Sequence, residues 1–404
     1  MELTEEFQQF VADHRQENAE RLRLKYHGKA PWIDMAVTHI HSLQKAGRKF
    51  IDPATGEDFT PRLMLYPLSV EQATSAVIAR HHQTMVGCGE RVLDMTCGLG
   101  IDSMMLSLVP GVRLTTCEMN PPAAEAARFN FADMANVEVI EGDSVAYLEG
   151  SDEIFDLIFI DPARRDSGGG RVYNIRQCTP DVTAILPLMM RKSKRICIKL
   201  SPMIDLKQTR IDLGVPCRIH CVDDGHECKE LLVEIDCVDP VKEETVVVND
   251  HKRFSFTSED EEKADVVYAV SDDLRPGMIL HEPSPAAMRS GAFRLMSQQF
   301  GLTKLHPNTH IYIGAGENES FPGKRHLITD VIELTSSAIK RLNKTYPQLN
   351  VAVRNYPGSP EEFLKKAKIR QGGDLKGFAV TTGFGKYLVI CRSVSEVHSS
   401  STAT

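Results

Sequence analysis

The sequence predicts an α/β fold, in which an open and mostly parallel sheet carries helices on both faces, with a helical region before it and small α+β domains after it. Three observations support this. From Arg91 onward, short β-rich runs alternate with helix-like runs, the pattern of strands joined by crossover helices. At 404 residues the chain is too long for one ordinary core. After about Pro240 the alternation gives way to smaller units with their own strands and helices.

The first 30 residues read as helical, with Phe7, Phe10, Val11, Leu22 and Leu24 among charged residues and Gly28 and Pro31 as a stop. A second helix is expected from Trp32 to about Ala46. Asp52 to Gly56 then forms a turn, and Pro61 to Pro67 an extended approach. Ser69 suits a helix cap, with Gln72 placed to return the capping-box bond. Strands follow at Arg91 to Asp94, Val112 to Glu118, Val137 to Glu141, Phe155 to Asp161 and Arg195 to Leu200. The runs Asp102 to Val109, Pro122 to Met134, Ser144 to Leu148 and Pro180 to Arg191 are helix-like. Two further runs, Cys217 to Val222 and Glu230 to Val238, complete the expected sheet.

Beyond residue 240, strands are expected at Thr245 to Val248 and Val266 to Val270, with a charged turn at Glu259 to Lys263. A helix follows near Pro285 to Phe300, then a loop at Leu305 to Pro307 and a strand at His310 to Ile313. From about Ile328 the pattern is strand, helix (Ser336 to Leu342), strand (Asn350 to Arg354), helix (Ser359 to Lys368) and a hairpin (Gly377 to Thr382 with Lys386 to Arg392). Residues 395–404 read as a disordered tail.

An apolar share of 42% with 25% charged residues fits a soluble globular chain, and no run approaches the roughly 18 apolar residues of a membrane span. The acidic, amphipathic start at Met1 to Glu6 is unlike a signal peptide, so a cytoplasmic location is expected. Ten scattered cysteines read as reduced thiols. The cluster Cys217, His220, Cys221, His226 and Cys228 matches no usual zinc spacing, and no metal is expected. The net charge of -8 hides an asymmetry: residues 321–404 hold 13 Lys and Arg against 6 Asp and Glu. Such an end suits an RNA-contacting surface or an ordinary solvated basic face.

Ligands of open α/β sheets bind beyond the carboxyl ends of the strands, which directs attention to the acids there. Val92 to Asp102 is a strand turning into a helix through Gly98 and Gly100, where backbone passes close to a ligand and the helix offers unpaired N–H groups. Thr96 stands where a GxGxxG would begin, and Asp94 would repel a pyrophosphate; an acid suits the ammonium and sulfonium groups of S-adenosylmethionine. Glu118, 24 residues on at the next strand end, can accept bonds from both ribose hydroxyls. Asp143 can bond an adenine amino group or, with Ser144, cap a helix. In Ile160-Asp161-Pro162-Ala163-Arg164-Arg165-Asp166, Asp161 and Pro162 would stand beside the transferred methyl. Alignment supplies much of what such a displacement needs. Arg164 and Arg165 can hold phosphate or pair with Asp166, and Lys199 ends a further strand where it meets substrate or solvent.

These stretches resemble class I methyltransferases of bacteria with C-terminal ferredoxin-like and THUMP-like domains. The resemblance rests on Leu68 to Ser75, Asp94 to Gly100, Ile160 to Asp166, Ile198 to Pro202 and Glu227 to Leu232. It extends to Leu280 to Pro283, Leu305 to His310, and Val351 to Asn355 through Asp374. It implies a Rossmann-like class I methyltransferase sheet over 68–239, after a helical region at 1–67. Ferredoxin-like and THUMP-like domains are then expected over 240–327 and 328–394, and tRNA or rRNA as partner. The expected cofactor-binding set is Gln72, Asp94, Thr96, Cys97, Gly98, Gly100, Glu118, Met119, Asp143, Ser144 and Asp161. Asp161 and Pro162 are the expected catalytic residues, and Arg164, Arg165 and Lys199 the substrate contacts.

Ala163 and Arg164 stand where amino-nitrogen enzymes carry a base-stacking aromatic, and no cysteine follows Pro162 as in enzymes that form a covalent pyrimidine adduct. The accepting atom stays open. So do three alternatives: a protein or small-molecule methyltransferase, an RNA-binding module that no longer turns over, and a nicotinamide dehydrogenase.

Overall fold

The structure, a computed structural model, describes residues 5–52, 55–60, 63–65, 70–71, 73–164, 174–250 and 252–394. Ser69, Gln72, Arg165 and the expected tail from 395 lie outside the described residues, as does the side chain of Arg164. The chain forms two compact units, Met1–Arg218 with Leu231–Lys242, and Ile219–Glu230 with Glu243–Thr404. No described helix is long and apolar enough to cross a membrane.

The first unit opens with three helices, α1 (Glu5–His14), α2 (Ala19–Tyr26) and α3 (Ile33–Ala46). Where the sequence suggests one helix through residue 30 there are two, because the Asn18 side chain accepts the amide proton of Arg21 and starts a new one. Leu22, Ile33, Val37 and Ile40 close a small core between α2 and α3. Farther on, Leu43, Phe50, Phe59, Leu63 and Leu65 pack against Cys97, Leu99, Ile101 and Phe131, so the helical region braces the glycine turn. Asn130 ties the two together, accepting from Met64 N at 2.6 Å and donating to Leu99 O at 3.1 Å. Helix α4 (Ala76–His82) follows.

Strands and helices then alternate: β1 (Arg91–Asp94), α5 (Ile101–Ser107), β2 (Arg113–Glu118), α6 (Pro121–Asn130), β3 (Val137–Glu141), α7 (Ser144–Gly150) and β4 (Phe155–Ile160). After a two-residue ribbon of β5 (Ala163–Arg164) with β6 (Cys178–Thr179) come α8 (Val182–Lys192), β7 (Ser193–Leu200) and α9 (Leu206–Leu213). The strand order is β3-β2-β1-β4-β7, all parallel, and β9 (Cys228–Asp236) adds an antiparallel strand beside β7. Strands β1, β4 and β7 are apolar and buried through their middles because helices cover both faces. The chain runs outward from β1 through β2 to β3 and then returns to β4 on the other side of β1. That reversal opens a crevice at the carboxyl ends of β1 and β4.

In the second unit, which holds all but the first residue of β8 (Arg218–Asp223), that strand lies beside β10 (Glu244–Asn249), which pairs antiparallel with β11 (Lys252–Phe256). The expected charged turn is a helix, α10 (Ser258–Lys263), made possible by a capping box in which Thr257 and Asp260 bond reciprocally. Val266 to Val270 is not a strand: it makes one isolated bridge, Tyr268 to Lys304, and leaves Val267 and Val270 more than half exposed. Seven strands form the main sheet, in the order β13 (Thr303–His306), β14 (Thr309–Gly314), β12 (Ile279–Pro283), β15 (Gly323–Glu333), β18 (Lys386–Ser393), β17 (Lys376–Thr381) and β16 (Asn350–Arg354). The helix expected at Pro285 to Phe300 is two, α11 (Pro285–Ser290) and α12 (Leu295–Phe300), broken at Gly291 with φ 82°. Helices α13 (Ser336–Ile339), α14 (Leu342–Thr345) and α15 (Pro360–Ala367) cover one core, to which Ile339, Leu342, Phe363 and Leu364 contribute. Glu282, buried on β12, is held by Arg354, Lys376 and His326.

Candidate active site

The carboxyl ends of β1, β2, β3 and β4 bring Asp94, Glu118, Asp143 and Asp161 to one edge of the first unit's sheet. Their environments differ, and the differences divide their roles. Asp94 is fully buried, and its oxygens accept from Thr96 N at 2.9 Å and from Ser103 Oγ on α5. Its carboxylate therefore holds the turn. Burial pushes its carboxyl up to about 6 despite the hydrogen bonds from Ser103 and Thr96, and the Asp102 and Asp161 charges push the same way.

Glu118 clasps the same turn from β2: Oε2 accepts from Gly98 N at 2.9 Å and Oε1 from Asn120 N at 2.8 Å. Gly98 is exposed, sits at φ 56°, and would place an added Cβ in open space. Gly100 is different. At φ 84° its missing Cβ makes room for the Phe131 ring, which would lie 2.7 Å away, so this glycine serves packing inside the unit. The Cys97 side chain also belongs to that core, and burial pushes its thiol well above the ordinary range; Cys97 faces the edge through its backbone, with N bonded to Cys117 O.

Met119 stands 66% exposed beyond Glu118, an apolar surface at the rim. Asp143 is exposed and caps α7 through Val145 N at 2.8 Å, while Ser144 is buried. Thr96 bridges to the fourth strand, its Oγ1 accepting from Asp161 N at 2.7 Å. Pro162 is buried next to it.

Lys199, on β7, commits its ammonium to Asp161 Oδ2 at 2.6 Å, Thr74 Oγ1 at 2.7 Å and Asp102 Oδ2 at 3.2 Å. Asp102 also accepts from Thr74 Oγ1 at 2.8 Å and lies 2.9 Å from His82 Nδ1. Burial would raise the Asp102 carboxyl, but Lys199 and His82 more than offset it and hold the group below the usual carboxylate range. Sequence reasoning missed Thr74, His82, Ser103 and the role of Asp102. The one hint is a lysine ending an apolar strand run with no acid near it in sequence. Among the described residues no group of three or more His, Cys, Asp or Glu is placed to hold a metal ion.

Comparison with known proteins agrees with this architecture. Family models match at residues 69–175 (methyltransferase small domain), 280–322 (ferredoxin-like domain) and 323–393 (THUMP domain-like). A crystal structure from Porphyromonas gingivalis W83, named provisionally as a methyltransferase, is 29% identical with a TM-score of 0.81. The match covers 96% of this chain and 97% of that one. An uncharacterised RNA methyltransferase of Mycoplasma mobile is 31% identical over 140 residues, which is 34% of this chain. This chain spans 38% of that curated relative's length. A sheet ordered around the β1–β4 crevice, three matched segments in sequence and a full-length structural likeness give the chain a methyltransferase domain followed by ferredoxin-like and THUMP-like domains.

Proposed function

We propose that the protein transfers a methyl group from S-adenosylmethionine to a base in structured RNA, tRNA or rRNA, by direct displacement. The observation that carries this reading is the row of acids at four neighbouring strand ends around an open glycine turn. The residues fit the cofactor. The turn leaves open space over Gly98, Glu118 offers a carboxylate suited to ribose hydroxyls, and Met119 offers an exposed apolar face. The strand ends β1 and β2 carry acids, which disfavour a pyrophosphate and suit a sulfonium and an ammonium.

Asp94 and Thr96 hold the turn, Glu118 and Gly98 bind the sugar side, and Asp143 with Met119 borders the adenine side. When bound, S-adenosylmethionine supplies an electrophilic methyl on a positively charged sulfur. Asp161 and Pro162 meet the accepting base. The Asp161 carboxylate accepts a hydrogen bond from an amino nitrogen, orients its lone pair and faces the positive charge that grows there during transfer.

RNA is favoured by the second unit and by the Mycoplasma relative's description. Lys340, Arg341 and Lys344 are exposed around α13 and α14, and Lys365, Lys366 and Lys368 at the end of α15, all outside one shared core. That face suits a phosphate backbone.

Thermal shift tests the cofactor, since a ligand at 100 times its dissociation constant adds about 2.7 kcal/mol. Stabilisation by S-adenosylmethionine is expected; stabilisation by NAD alone sinks the reading. For the substrate, modified nucleosides of tRNA and rRNA are compared by mass spectrometry with and without the gene. One missing methylated nucleoside is expected, and none missing in either pool returns the question to proteins and metabolites.

A further inference from the structure

Behind Asp161 lies a network of buried charges assembled from four separate places in the chain. An ammonium has three protons, and among the described residues Asp161, Thr74 and Asp102 accept from Lys199. Thr74 donates its own hydroxyl hydrogen bond to Asp102. His82, with no exposed side-chain surface, holds the other Asp102 oxygen. The side chains of Lys199 and Asp102 are 12% and 14% exposed, and Asp161 is 40% exposed, so the network surfaces at Asp161. A buried ion pair is weak evidence for stability, because apolar residues of similar volume often serve as well. Its purpose lies in what it presents.

We propose that Lys199, Asp102, Thr74 and His82 are positioning residues for Asp161, resting on the reading that Asp161 meets the methyl acceptor. Lys199 grips Oδ2 and so fixes the plane of the carboxylate. Alone, its positive charge would cancel that of Asp161. Asp102 offsets Lys199 from behind, so the negative charge of Asp161 stays effective at the edge where the accepting nitrogen becomes positive. His82 and Thr74 keep Asp102 aimed at the lysine.

The test is a double-mutant cycle with the full chain, using tritiated S-adenosylmethionine and total RNA from a strain lacking the gene. Asp102→Asn should slow transfer about 100-fold, the loss that a misplaced reacting group causes, while S-adenosylhomocysteine affinity stays within a few-fold. The Asp102→Asn/Asp161→Asn double variant should be no slower than Asp161→Asn alone. Losses that multiply overturn the inference and leave the reading of Asp161 standing. An Asp161→Asn protein as fast as wild type overturns both. Should Asp102→Asn misfold, the charge-neutral pair Lys199→Met/Asp102→Asn takes its place in the cycle with the same criterion. A readout that needs no acceptor is the NMR signal of lysine ammonium groups. An exchange-protected signal, assigned to Lys199 by its absence from Lys199→Met and separate from that of the buried Lys304, should be lost in Asp102→Asn, and no such signal in the wild type overturns the network.

Discussion

Glu118 Oε2 accepts the amide proton of Gly98 at 2.9 Å, joining the end of β2 to the turn after β1. The two parts of the proposed cofactor cradle are thus built against each other, and a change in the acid also disturbs the glycine. Glu118→Gln keeps one carbonyl oxygen but aims an amide NH2 at either Gly98 N or Asn120 N. Losing one hydrogen bond to a charged acceptor costs roughly 1.5–3 kcal/mol, so S-adenosylhomocysteine should bind roughly 10- to 100-fold more weakly by titration calorimetry. Unchanged affinity would remove Glu118 from the cradle.

The two glycines of the turn should separate stability from binding. Gly100→Ala strains a left-handed residue and drives its Cβ into the Phe131 ring, so a loss of roughly 2–5 kcal/mol is expected by denaturant unfolding. Gly98→Ala meets no atom and should cost only about 1–2 kcal/mol for its left-handed backbone, yet weaken S-adenosylhomocysteine binding. Equal stability losses with equal binding would mean that the space over Gly98 is not where the ligand lies.

Local patterns explain which parts could be read from the sequence. Phe155–Ile160 and Arg91–Asp94 announce themselves as apolar runs that end in charge, and Glu118 and Asp143 follow from their places at strand ends. Thr74 and Lys199 are 125 residues apart and meet only because the return to β4 sets β7 near the β1 crevice. No periodicity records such a meeting. Val266 to Val270 shows the opposite case: its β-branched composition suits a strand, but a strand needs a neighbour, and among the described residues only Lys304 pairs with it. At Thr257 the capping box with Asp260 turns the acidic run, which by composition alone suits a charged turn, into a helix.

If RNA lies across the basic layer of the second unit, removing its charges should change the salt dependence of binding more than the cofactor site. Replacing Lys340, Lys344 and Lys366 with alanine removes three exposed cations. The slope of log affinity against log salt should then flatten by about 2–3, at about 0.7–0.9 per phosphate contact. S-adenosylhomocysteine affinity should be unchanged. Filter binding of tRNA and rRNA fragments across a salt series measures this, and an unaltered slope would move the RNA to another face.

Asp94 should make the protein less stable as pH rises through the weakly acidic range. Its folded-state carboxyl titrates at about 6 against an ordinary 3.8 because the group is buried. Below about pH 4 it is protonated in both states and carries no penalty. Between about 4 and 6 the unfolded chain gives up this proton before the folded protein does, so the unfolded state binds fewer protons and stability falls with rising pH. The penalty levels off above about 6, at roughly 3 kcal/mol. Asp94→Asn can still accept from Thr96 N through its amide oxygen, and the Ser103 hydroxyl, already bonded to Thr116 Oγ1, can turn to accept from the amide NH2. The Asp102 and Asp161 charges remain in both proteins, so their contributions largely cancel in the comparison. Denaturant unfolding at pH 4 and pH 7 should therefore find the variant gaining on the wild type by roughly 3 kcal/mol between the two. A difference independent of pH would show that Asp94 ionises in the folded protein as readily as in the unfolded chain, and that its burial behind the turn is incomplete.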